Sequence, residues 1–101
     1  MNKVALVVGG GQTLGAFLSE GLAKEGYDVV VADLNQESAV GTAKDIEGKY
    51  KVSTLGVKVD AANEDDVNKM MDAIKEKFGR VDLLVYSAGI ARSHKITNFP
   101  L

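Results

Sequence analysis

The chain has 101 residues, 46% apolar and 26% charged, ordinary proportions for one globular domain with no room for two. Twelve Lys and Arg stand against fourteen Asp and Glu, and the net charge of −2 argues against a nucleic-acid-binding surface. There is no cysteine, which excludes disulfides, thiolate metal sites and cysteine nucleophiles.

Val4 to Val8 is a continuous apolar run that suits a strand covered on both faces. It is too short for a secretory core of about 7–15 apolar residues, and no stretch approaches the roughly 20 of a membrane span. The cytoplasm is the expected location. After three glycines, Leu14, Phe17, Leu18 and Leu22 recur at helical spacing, and Gly26 closes that helix. Val29 to Ala32 reads as a second buried strand. Asn35 caps a second helix whose Ala39, Ala43 and Ile46 share a face, with Gly41 an interior weakness of about 1 kcal/mol. Val52 to Val59 reads as a third strand interrupted by Gly56. Asn63 caps the third helix, and Glu64, Asp65 and Asp66 fill a first turn where the helix dipole favours negative charge. Val67, Met70, Met71, Ile74 and Phe78 form its apolar stripe, and Gly79 stops it. Val81 to Tyr86 is a fourth strand, followed by a turn at Ser87, Ala88 and Gly89.

The order β-α-β-α-β-α-β with short linkers predicts a doubly wound α/β fold. In the strand order 3-2-1-4, Leu83, Leu84 and Val85 lie on an apolar edge strand that an intact domain would cover. The chain is therefore expected to be the front part of a longer protein.

Gly9 to Gly15 lies between the first strand and the first helix. There, backbone N–H groups at a helix start can meet a dinucleotide pyrophosphate, and glycine lets the backbone come close. The plain alternative is a tight turn without a ligand. A P-loop is excluded: Gly10 and Gly15 have its spacing, but Ala16 and Phe17 stand where Lys and Ser/Thr are required. Asp33 follows the second strand, where a carboxylate can accept hydrogen bonds from the ribose hydroxyls of NAD and repel the 2′-phosphate of NADP. No Arg or Lys stands beside it in the sequence. Asp60, after the third strand, could reach an adenine ring or simply start the turn into the third helix.

These features together resemble the short-chain dehydrogenase/reductase family. Its glycine turn T-G-x-x-x-G-x-G reads here Val8-Gly9-Gly10-Gly11-Gln12-Thr13-Leu14-Gly15, so Gly9 and Gly15 match while Val8 and Thr13 depart. Its N-N-A-G turn reads Tyr86-Ser87-Ala88-Gly89, with both Asn replaced. The resemblance implies a Rossmann-like NAD-binding domain over residues 1–101. It also implies cofactor-binding roles for Gly9, Gln12, Thr13, Leu14, Gly15, Asp33, Asp60, Ala61, Ser87, Ala88 and Gly89. The stretches Gly9 to Leu18 and Phe78 to Ala91 resemble members that oxidise a sugar-alcohol phosphate to a ketose phosphate with NAD. A homo-oligomer, often a tetramer, is implied as well.

In this family a Tyr and a Lys four residues later carry proton transfer, the Lys lowering the Tyr pKa. Here Val31, Thr54 and Ile90 follow Tyr27, Tyr50 and Tyr86 at that spacing, so the catalytic positions are expected beyond Leu101 and no catalytic residue is assigned. His94 is the sole histidine, which excludes a multi-histidine metal site. Met70 and Met71 read as core, Glu64 to Asp66 as a helix start, Tyr86 as packing, and Arg92 and Lys95 as solvated loop. Two other functions stay open: a non-catalytic nucleotide-binding module, and an inactive truncated product that pairs its open fourth strand with a partner.

Overall fold

Four strands and three helices alternate along the chain in the computed structural model, which describes residues 2–9, 11 and 13–87. They are β1 (Val4–Val8), α1 (Thr13–Lys24), β2 (Asp28–Asp33), α2 (Gln36–Tyr50), β3 (Thr54–Lys58), α3 (Glu64–Lys77) and β4 (Leu83–Tyr86). The strands form one parallel sheet in the order β3-β2-β1-β4, as the βα alternation predicts. Val8 lies opposite both Ala32 and Tyr86, and Ala32 opposite Val57, so the carboxyl ends of all four strands share one rim. This is the Rossmann-like arrangement, in which ligands bind beyond that rim.

Side chains alternate between the two faces with the period of the strand. Ala5, Val7, Val29 and Val31 pack under α1 and α2 with Ala23, Ala39, Ala43 and Ile46. Val4, Leu6, Val8, Val30 and Ala32 pack under α3 with Met70 and Ile74. The caps read from the sequence are formed: the Asn35 Oδ1 accepts the Ser38 N–H at 3.0 Å, and the Asn63 Oδ1 accepts the Asp66 N–H at 3.0 Å. At the head of β4, the Asp82 Oδ2 accepts the Val4 N–H at 2.8 Å, fastening β4 to β1. The Arg80 guanidinium hydrogen-bonds the same carboxylate and holds it below its ordinary pKa, against the upward push of burial.

Two expectations change in detail. Leu14 and Phe17 do not belong to the inner face of α1: they are 55% and 73% exposed, while Gly15, Ser19 and Ala23 are buried. Those three are four residues apart, and this small-residue stripe lets α1 lie close to the sheet, leaving Leu18 and Leu22 half-buried at its border. The third and fourth strands are also shorter than the apolar runs that announced them. Val52, Val59 and Val81 are buried but lie outside β3 and β4, although the Val59 N–H still donates to the Asp33 carbonyl at 2.9 Å.

Gly56, read as an interruption, has a packing role. A Cβ there would stand 2.7 Å from the Ala39 carbonyl oxygen and 2.7 Å from the Val40 Cα, so only glycine lets α2 lie this close to β3. No helix among the described residues is long and apolar enough to cross a membrane.

Candidate nucleotide site

The site is built at the rim where β1, β2 and β4 end. Gly9 leaves β1 with φ +85°, a conformation open to glycine, and its N–H donates to the Ala32 carbonyl at 2.7 Å. The chain thereby turns over the end of β2 before α1 begins at Thr13. Leu14 is on the surface at this start, and the Ser19 hydroxyl, itself buried, donates to the Gly15 carbonyl at 2.8 Å within α1.

Asp33 is the last residue of β2 and is half-buried. Its Oδ2 accepts the Gly11 N–H at 3.1 Å and its Oδ1 accepts the Asn35 N–H at 3.0 Å. A carboxylate has about four acceptor positions, so about two remain, one on each oxygen. Asp33 is thus oriented by the backbone before any ligand arrives. The sequence shows no cation beside it, but the sheet register does: Lys58 lies opposite Asp33 on β3 with its side chain exposed. No ion pair joins the two among the described residues.

Ser87 closes the other side. Its N–H donates to the Val8 carbonyl at 2.9 Å, and its hydroxyl oxygen lies 3.4 Å from the carbonyl oxygens of both Val8 and Gly9. It therefore ties the end of β4 to the glycine turn. Asp60 and Ala61 lie beyond β3, two strands from β1. The bonds of Asp60 are those of a turn: its Oδ1 accepts the Ala62 N–H at 3.0 Å, and its own N–H donates to the Asp66 Oδ2 at 3.1 Å. Hydrogen bonds join Ser87 to Gly9 and Gly11 to Asp33, whereas Asp60 and Ala61 lie at the end of β3. Gly10, Gln12, Ala88 and Gly89 lie outside the described residues, as do His94, Arg92 and Lys95.

Sequence reasoning missed Thr42. Its hydroxyl donates to the Gly11 carbonyl at 3.2 Å across 31 residues of sequence, a tie that no local pattern announces. Tyr86 is half-buried in the α3-side core, as its packing role requires. Among the described residues no group of His, Asp and Glu is arranged to hold a metal. A groove of about 640 Å³ lined by Lys3, Leu22, Glu25, Tyr27 and Leu83 opens near the amino ends of the strands, at the opposite pole of the sheet.

The donor set fits a dinucleotide. Gly9 turns the chain in a conformation open to glycine, the turn adjoins the start of a helix, and a carboxylate with spare acceptor positions stands at the end of the next strand.

Similar proteins carry the same architecture. Sorbitol-6-phosphate 2-dehydrogenase of Escherichia coli is 51% identical over 102 residues, covering 100% of this chain and 39% of its own length. The crystal structure of sorbitol-6-phosphate 2-dehydrogenase from Erwinia amylovora superposes with a TM-score of 0.81 at 54% identity, over 96% of this chain and 38% of that one. L-sorbose reductase from Gluconobacter frateurii, complexed with NADPH and L-sorbose, superposes with a TM-score of 0.83 at 31% identity, over 88% of this chain and 34% of that one. The chain thus spans well under half the length of these relatives. The profile of the short chain dehydrogenase family matches residues 3–101, and together with the glycine turn, the Asp33 carboxylate and the strand order this places the chain in that family.

Proposed function

We propose that this chain is the adenosine-binding part of an NAD-dependent dehydrogenase that interconverts sorbitol 6-phosphate and fructose 6-phosphate. The observation that carries the NAD reading is the Asp33 carboxylate, oriented by the N–H groups of Gly11 and Asn35 with about two acceptor positions left over. Those positions suit the two hydroxyls of an adenosine ribose. A 2′-phosphate in the same place would meet a fixed negative charge, with the exposed cation Lys58 opposite. The reading of the substrate rests on the 51% identity to the Escherichia coli enzyme and the 54% identity to the Erwinia amylovora enzyme.

Bound NAD supplies the hydride acceptor for oxidation of a secondary alcohol. The residues of this chain bind and orient. Gly9 and Gly15 let the pyrophosphate approach, and the start of α1 offers N–H groups to its charge. Asp33 sets the ribose. Ser87 fixes the end of β4 against the glycine turn, and Gln12, Thr13, Leu14, Ala88 and Gly89 complete the cofactor channel. Asp60 and Ala61 border it at the end of β3. No residue of this chain is assigned to proton transfer, and the whole enzyme is a homo-oligomer.

The test is Asp33→Ala in the full protein, with kcat/KM measured for NAD and for NADP. Loss of charge-assisted hydrogen bonds of about 1.5–3 kcal/mol predicts a drop of roughly 10- to 100-fold with NAD. Activity with NADP should rise relative to NAD, because Lys58 then stands without an opposing carboxylate. An unchanged NAD-to-NADP ratio would sink the assignment.

A further inference from the structure

Gly11 is held on three sides. Its N–H donates to the Asp33 Oδ2 at 3.1 Å, and its carbonyl accepts the Thr42 hydroxyl at 3.2 Å. Its Cα rests on the first turns of α2: a Cβ there would stand 2.9 Å from the Ala39 nitrogen and 3.0 Å from the Ser38 carbonyl carbon. Both peptide groups flanking Gly11 are therefore engaged, one by the carboxylate at the end of β2 and one by a hydroxyl on α2. The family's glycine pattern leaves this position open; here the seating on α2 demands glycine.

Thr42 is half-buried and lies in the interior of α2, one turn after Ser38. Its hydroxyl bonds a carbonyl of another segment, 31 residues away, so the bond fixes the glycine turn against α2. Moving the Gly11 peptide would shift the N–H that orients Asp33. The hydroxyl thus acts on Asp33 through one intervening residue.

We propose that Thr42 is a positioning residue for the dinucleotide: through the Gly11 peptide it holds the glycine turn and the Asp33 carboxylate in the geometry that receives the adenosine half. This rests on the nucleotide-binding reading of the site. Thr42 itself does not touch the ligand.

Thr42→Val keeps the shape and removes the donor; Thr42→Ser keeps the donor. NADH is titrated into the full protein by fluorescence, well below the melting temperature, for wild type and both variants. One neutral hydrogen bond predicts that Thr42→Val raises the NADH Kd by about three- to tenfold. Thr42→Ser should bind within about twofold of wild type, since it retains the same hydrogen bond. At saturating cofactor, kcat should not move, and amide exchange at Gly11 should quicken in Thr42→Val alone. A merely structural role would lower the melting temperature and leave Kd and the Gly11 amide as they are. Should Thr42→Val fail to fold, Thr42→Ala removes the same donor, and the same weakening is expected of it. Wild-type NADH affinity in the folded hydroxyl-free variant overturns the positioning role while leaving the site intact. Failure of wild type to bind NADH overturns the nucleotide reading and this inference with it.

Discussion

Below the sheet, α3 packs through Met70 and Ile74; above it, α2 packs through Ala39, Ala43 and the bare backbone of Gly56. The first contact is made by long side chains filling space. The second relies at Gly56 on the lack of a side chain, which brings helix backbone against strand backbone, while Ile46 fills the space further along α2. α1 follows the second manner, with Gly15, Ser19 and Ala23 inward and Phe17 outward. The difference follows the site. The glycine turn lies on the α1 and α2 side, and Gly11 can rest on Ser38 and Ala39 only because α2 is drawn in so closely. The face away from the turn is free to pack in the ordinary way, with volume.

The two manners of packing should fail in opposite ways. Ile74 is fully buried, and Ile74→Ala should cost about 2–5 kcal/mol in urea unfolding, as a cavity opens under α3. A cost below about 1 kcal/mol would mean that α3 collapses onto the sheet as α2 does. On the other face, gain of a methyl group is the injury. Gly56→Ala should cost about 1–3 kcal/mol, because the new Cβ meets backbone atoms that cannot rotate away. A neutral Gly56→Ala would show that α2 can ride outward, and the NADH affinity of that variant would then report whether the turn moves with it. The smallest effect marks where the closeness ends. Gly41 lies on the exposed side of α2, and a methyl group added there would meet open space, so Gly41→Ala should gain about 0.5–1 kcal/mol.

Much of this was legible in the sequence because it is local. The caps Asn35 and Asn63 and the stops Gly26 and Gly79 announced every helix boundary they govern, and the order of elements left one common topology for the sheet. Apolar runs report burial more than pairing, so the runs extend to Val52 and Val81, which are buried outside β3 and β4. The orientation of α1 was hidden because small residues give no hydropathy signal. Phe17 and Leu14 gave a strong one from the wrong side. Asp33 stood out by its place after the second strand, but its partner Gly11, 22 residues earlier, and the register neighbour Lys58 are consequences of the folded sheet. Thr42 is the extreme case, an unremarkable hydroxyl until α2 is laid against the turn.

In the proposed site Asp33 does two jobs with one carboxylate, and this bears on how cofactor preference could change over evolution. Its oxygens accept the N–H groups of Gly11 and Asn35, so a replacement without a side-chain acceptor, such as Ala, removes the charge and also the partner of two backbone donors. A lineage moving toward a phosphorylated ribose would need a compensating acceptor or a rebuilt turn in the same step, or would pass through a weakened intermediate. On the proposed reading, a cofactor preference set at that position would be guarded by the scaffold as much as by selection for the cofactor.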